Sequence, residues 1–515
     1  MFQREIRPAG DQPPIFRGLN GDPPKAESRF TYMKLRQSAG VLLLGFAQLA
    51  RAWAAPDVAA PFEVHASLNG EPLQLHAFAQ GAFGLFEASK PIDVEIRTGF
   101  DVRWVNVRPM SARVVSAISS DHRGVSFRVT GTTPLTVEFN DDLTQVVHLF
   151  PYAPEQYAPR PDTPNVRYYG PGLHEPGLID LRSGETLYLA PGAWVKGNVR
   201  SMGSRNVTIC GRGVLDGSDV GGPGATDVVG PGSAGLRNLI YLENTEGARL
   251  EGVTLFNCHD AWTVYMTGTK GTRVDGLRIL NPSVHYGDDG FDIVSSSDVL
   301  VENVFVRTND DCVVVKNLGD VDTHDITVRH SVMWNMPTGG NGLEIGFETR
   351  NRRIHAIRFE DIDIIHVERG SAISIHNGDA ATVEDVVFDR IRVEDARRKL
   401  IDFAVVYAQY GADRPASDEE NARRIDRGGT WDGMLTFEPA ERPERARFRG
   451  HIRNIRVTNL HVVDGALPYS VLAGFDGSHA VENVVIEGLQ YLGRPIRDAA
   501  EGKFSIDNAT GVEFK

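Results

Sequence analysis

The chain is poor in cysteine, in long apolar runs and in positive charge, and each shortage removes a class of protein. Its three cysteines, Cys210, Cys258 and Cys312, are spread over 515 residues. That is too few for a disulfide framework, and their spacing matches no zinc site, so they are read as packing residues. No apolar stretch reaches the roughly 20 residues that a membrane-spanning helix needs. Lys and Arg number 54 against 68 Asp and Glu, a formal net charge of −14. An acidic surface repels nucleic acid and gains nothing at an anionic membrane, so neither is an expected partner. Helical periodicity is missing too. What is plentiful is turn chemistry: 53 glycines and 28 prolines scattered along the chain point to many short strands joined by turns, hence an all-β protein.

The first residues read as a processing segment. Met33, Lys34 and Arg36 open a basic region, Val41 to Ala50 is mostly apolar, and Ala52-Trp53-Ala54 offers small residues for cleavage, the pattern of a signal peptide. Met33 is a candidate start codon. Residues 1–54 hold eight Lys or Arg against four Asp or Glu, so their removal takes the net charge from −14 to −18. A secreted or periplasmic location follows as the expectation.

Residues 55–150 alternate apolar and polar in short runs, such as Ile92, Val94 and Ile96 or Val125, Phe127 and Val129, which predicts a β-sandwich. A proline-rich connector at 151–165 follows. From residue 166 to 515 one phrase returns: LEGVTLFN ending at Asn257, VDGLRILN at Asn281, VENVFVRTN at Asn309 and ITVRHSVMWN at Asn335, with later copies ending at His366, Asp395, Asp464 and Gly493. Successive ends are 24, 28, 26, 31 and 29 residues apart, then 69, then 29. A period of this length with strict alternation predicts a solenoid of stacked three-strand coils, a parallel β-helix with one continuous core. The four asparagines at matching positions are candidates for a side-chain ladder or for turn residues with positive φ. The long gap hides an insertion at 407–449, which includes Trp431; excursions of this kind are often functional loops.

The densest acidic cluster lies in two successive coils, His285-Tyr286-Gly287-Asp288-Asp289-Gly290-Phe291-Asp292 and Asn309-Asp310-Asp311-Cys312, the second closed by Lys316. Asp289 and Asp310 are 21 residues apart, close to one coil, so their backbones are expected about 4.8 Å from each other. Crowded carboxylates raise one another's pKa, which lets one stay protonated as a general acid while another remains ionised as a base. Paired carboxylates in those roles suit glycoside hydrolysis, which needs no cofactor; a site for a hard cation such as calcium is the competing reading.

DDGFDI and NDDCVVVK resemble the NTDGFDI and GDDCIAIK blocks of polygalacturonases, glycoside hydrolase family 28. That resemblance implies a right-handed parallel β-helix, an inverting mechanism, Asp310 as general acid, and Asp289 and Asp311 handling the water. The family's Gly-His-Gly is replaced by Gly340-Asn341-Gly342, and its Arg-Ile-Lys by Ser374-Ile375-His376. In the family that Arg and Lys bind the substrate carboxylate, so their loss favours a neutral sugar. YLAPGAWVKGNV, GPGLHEPG and GNGLEIGFETRNRRI are similar to dextranases of family 49, which also carry an N-terminal β-sandwich.

The expected substrate is a polysaccharide or oligosaccharide, with an α-glucan favoured over polygalacturonate. Asp292, Lys316, Asn341, Glu344, Glu348, His376, His285 and Tyr286 are the expected substrate-binding residues, with Glu344 reaching the cleft. Two other readings stay open, a polysaccharide lyase and a non-catalytic glycan-binding solenoid, because the fold alone does not fix the chemistry. Carboxylates on adjacent coils could also stand near the ~5 Å that retention needs, against ~6.5–9.5 Å for inversion.

Overall fold

The computed structural model describes residues 60–220, 237–259, 261–282, 287–417, 434–436 and 439–515. The leader segment, His285, Tyr286 and Trp431 lie outside the described residues.

Two five-stranded sheets occupy the chain from Val64 to Tyr152. Alternation builds them. Ile92–Thr98 buries Ile92, Val94, Ile96 and Thr98 and exposes Asp93 and Glu95, and Val94 and Ile96 join Val125, Phe127, Val137, Phe139 and Leu149 in one core. The last strand, Asp142–Tyr152, continues two residues into the segment read as a connector. The solenoid's first strand is Val166–Tyr169.

From there to Phe514 thirty strands among the described residues form a right-handed parallel β-helix in which successive coils pair in parallel, apart from a short antiparallel pair, Gln490–Tyr491 with Arg494–Pro495. The core is a stack of apolar layers. Phe291 and Ile293 lie on Val313 and Val315, these on Leu343 and Ile345, then Ile373 and Ile375, then Ile401 and Phe403. Period two turns the intervening residues outward, so register aligns Tyr265, Asp292, Val314, Glu344, Ser374 and Asp402 in a single external row. That row is where polar side chains accumulate.

Of the four repeating asparagines only Asn257 has positive φ, at 62°. The other three are buried and brace turns. Asn309 Nδ2 donates to the backbone oxygen of Asn281 at 3.2 Å, and Asn335 Nδ2 donates to the carbonyls of Asp310 (2.8 Å) and Gly339 (2.6 Å). Cys210, Cys258 and Cys312 are buried free thiols.

The sandwich lies on the helix through an aromatic layer. Phe78, Phe83 and Phe150 meet Trp194, Phe256, Phe305 and Trp334, so Trp334 is an interface residue rather than a sugar platform. Arg307, fully enclosed, sits 4.2 Å over the Trp334 ring and donates to His148 at 2.9 Å. Beside it Arg108 bridges the two parts, donating to Glu138 at 2.9 Å and to Glu394 at 2.7 Å, while His366 lies between Glu138 (2.5 Å) and Asp395 (3.0 Å).

Candidate active site

Two turns entering the strands Phe291–Val294 and Val313–Asn317 hold the aspartates. The Gly290 N–H donates to the Asp311 carbonyl at 2.8 Å, so the ladder already runs through the turn, and Asp289 falls opposite Asp311. Asp310 is displaced from the position expected of it, because the coil is one residue longer than the Asp289–Asp310 separation. Gly340, at φ +72°, packs on this turn, where a Cβ would come within 2.2 Å of the Asp310 carbonyl carbon. Only glycine can stand there.

The carboxylates differ in surroundings. Asp310 is the partly exposed one. Its Oδ2 accepts from the Gly287 N–H at 3.1 Å and its Oδ1 from the Asp311 N–H at 3.0 Å. Burial, and then the charge of Asp289, push its pKa up to about 7 despite these donors and Lys316. Asp311 is only 7 % exposed, and burial followed by the charges of Asp310, Asp289 and Glu344 holds its pKa well above the carboxylate range. Its Oδ1 accepts from both the backbone N–H (2.7 Å) and the Nδ2 (2.9 Å) of Asn341. Asn341 was expected to contact substrate; it is buried and instead fastens Asp311, its own Oδ1 being held by the Ser371 N–H at 2.9 Å.

Lys316 takes the middle of the cluster. Its ammonium stands 2.9 Å from Asp292, 3.3 Å from Asp289 and 3.7 Å from Glu348, with the Trp262 ring centroid 3.8 Å away. Burial opposes its charge, but Asp292, Glu348 and Asp289 outweigh that and raise its pKa well above the ordinary lysine value. Lys316 and Asp292 are therefore electrostatic partners of Asp289 rather than open substrate contacts, whereas Glu348 keeps some exposure. Among the described residues no group of three or more His, Cys, Asp or Glu side chains is arranged to hold a metal ion; the cation at the centre of this cluster is the ammonium.

Glu344 and His376 depart further from expectation. Both face outward from the core, yet both are 0 % exposed, so neither opens on the cleft. His376 Nδ1 lies 3.0 Å from Glu344 and its Nε2 2.9 Å from Asp402, Asp402 pairs with Lys399, and Ser374 donates to Glu344. Burial disfavours the imidazolium, but Glu344 and Asp402 outweigh it and raise its pKa to about 10. The ring of Phe347 covers His376 at 4.6 Å, stacked.

Sequence reasoning passed over three residues. Asp288, buried and receiving the Asn309 amide at 3.0 Å, was quoted in its motif but given no role. Trp262 lies one coil earlier, where no motif marks it. Tyr410, at the start of the insertion, is the third. Its ring stands 6.0 Å from Phe347. Burial of its phenol, then the charges of Asp310 and Glu348, raise its pKa. Arg350 fixes this segment, donating to the Tyr410 carbonyl at 2.8 Å and pairing with Asp379 at 3.1 Å.

Residues 193–419 match the family described as Glycosyl hydrolases family 28. Curated relatives include a probable endopolygalacturonase D of Neosartorya fischeri, 26% identical over 188 residues (36% of this chain, 34% of the relative), and an endo-polygalacturonase of Pectobacterium carotovorum, 22% identical over 222 residues (43% and 52%). The chain thus spans about a third to a half of the length of these relatives. Among solved structures, Dex49A from Penicillium minioluteum aligns over 86% of this chain and 93% of its own at a TM-score of 0.53 and 15% identity, a likeness of fold. The chain is thus similar over residues 193–419 to glycosyl hydrolases of family 28, and it shares the β-helix fold of Dex49A.

Proposed function

We propose that the protein hydrolyses O-glycosidic bonds of a glycan, with Asp310 protonating the departing oxygen, Asp289 deprotonating the attacking water and Asp311, fastened by Asn341, positioning it. The observation that carries this reading is the contrast within one cluster. Asp310 is partly exposed with a pKa near 7, so it holds a proton for much of the neutral range. Asp289 is buried, with the Lys316 ammonium 3.3 Å from its carboxylate. An acid and a base held apart by environment are what general acid–base cleavage requires. Inversion is the proposed outcome, to be read from the anomeric proton of the first product by NMR; retained configuration would contradict it.

A neutral sugar is the proposed substrate. The cations around the described cluster are engaged: Lys316 by three carboxylates, His376 by Glu344 and Asp402, Lys399 by Asp402, and Arg350 by Asp379. A uronate entering this acidic site would have to displace one of them. The names of the polygalacturonase relatives favour the second reading, polygalacturonate. Release of reducing ends from dextran, pullulan, galactan and arabinan, set beside polygalacturonate, separates the two. Turnover confined to polygalacturonate would overturn the neutral-sugar assignment, and silence on every substrate would overturn hydrolysis. Export through the leader segment is part of the same proposal.

A further inference from the structure

Trp194, Trp262 and Trp334 are at most 7 % exposed, but Trp104, on the sandwich, is 56 % exposed. Single exposed apolar side chains are ordinary on a protein surface; this one is distinguished by how its loop is held and by the polar groups beside it. Its loop is pinned. The Asn140 side-chain oxygen accepts from the N–H groups of Arg103 (2.8 Å) and Trp104 (3.2 Å), its amide donates to the Asp101 carbonyl (3.0 Å), and its backbone N–H donates to the Trp104 carbonyl (3.0 Å). Asn140 and Asp141 both take left-handed φ, 57° and 58°, so a tight turn brings that side chain under the loop. A tryptophan tolerated by chance on a surface needs no such brace.

The indole borders an open recess of about 520 Å³, whose other walls are Asp101, Arg103, Arg123, Asn140 and Asp141. One aromatic face ringed by planar polar groups fits a pyranose. The C–H face of the sugar stacks on the indole, while guanidinium and carboxylate groups reach its hydroxyls in pairs. Asp101 and Arg123 hold each other at 3.5 Å, both more than half exposed, which keeps the two groups oriented without closing the recess.

We propose that this recess is a glycan-binding site on the sandwich, centred on Trp104, which holds the polymer while the β-helix cleaves it. The proposal rests on the hydrolase reading for its ligand class, but it is tested separately. Because Trp104 is exposed, Trp104→Ala removes no core contact and should leave the unfolding temperature unchanged.

The probe is native affinity electrophoresis of Asp310→Asn and of Asp310→Asn/Trp104→Ala through gels cast with dextran, galactan or polygalacturonate, with wild-type reducing-end release measured on the same polymers. The single variant should be retarded in at least one gel. The double variant should lose that retardation, its dissociation constant rising about tenfold, and Trp104→Phe should restore most of it. Equal retardation of single and double variants, or none in any gel, would overturn the site. Trp104-dependent retardation without hydrolysis by the wild type would sustain the site and overturn the hydrolase reading. Retardation by polygalacturonate alone would assign Arg103 and Arg123 to a uronate carboxylate.

Discussion

Asn341 gives both its backbone N–H and its side-chain amide to the same oxygen of Asp311, at 2.7 and 2.9 Å. Two donors on one oxygen fix the carboxylate and favour its ionised form against the burial that would protonate it. Asn341→Ala removes one of them. Since a hydrogen bond to a charged group contributes about 1.5–3 kcal/mol, kcat should fall roughly 10- to 100-fold with KM little changed. The acidic limb of the pH profile should move to higher pH, because Asp311 would then need a higher pH to ionise. An unshifted profile would show that Asp311 is not the group titrating there.

With Asp310 as acid, turnover should decline as pH rises through about 7. Stability should follow in the same direction. A carboxyl whose folded pKa exceeds its unfolded value of about 3.9 binds more protons folded than unfolded between those two limits, so each step up in pH there favours unfolding. Thermal unfolding of Asp310→Asn against wild type checks it. The variant should gain relative stability between pH 4 and pH 8, and a constant difference would count against the raised pKa.

The enclosed chain Glu344–His376–Asp402–Lys399 is expected to act on stability first. His376→Gln leaves Glu344 facing a neutral group, and breaking a buried pair costs about 3–5 kcal/mol. The imidazolium's folded pKa is raised to about 10, so its contribution is complete below the unfolded value of about 6.5 and disappears as pH rises through about 10. Denaturant melts at pH 6 and pH 10 should show the gap between variant and wild type closing at the higher pH.

Arg108 binds Glu138 of the sandwich and Glu394 of the solenoid at once. Arg108→Met should destabilise by roughly 3–5 kcal/mol, by leaving the enclosed Glu394 without its counter-ion and Glu138 with His366 alone. The sandwich is expected to loosen before the solenoid unfolds, seen as an early near-ultraviolet transition. A single unshifted transition would contradict the latch.

The solenoid was legible because each coil repeats one alternation, and Ile293, Val315, Ile345 and Ile375 announce themselves as one inward column. The aspartate pairs were legible for the same reason, being anchored to those strands. What sequence could not show was which outward side chains stay open. Glu344 shares the outward row with Asp292 and His376 lies on the same face two residues past Ser374, but the ring of Phe347 lies over His376, and no spacing rule predicts a cover supplied by the preceding coil. Asn341 was misread because a residue replacing a family histidine was expected to keep a substrate role, whereas its short amide reaches Asp311 instead. Trp262 and Tyr410 belong to segments without a repeat, and only the folded chain brings them to Lys316 and Asp310.

The most direct test replaces the acid alone. Asp310→Asn should cut glycan hydrolysis by about 10²- to 10⁴-fold, yet stay within about tenfold of wild type on a dinitrophenyl glycoside of the same sugar, whose leaving group needs no proton. Equal loss on both substrates, or full activity on the glycan, would contradict the assignment of Asp310 as the proton donor.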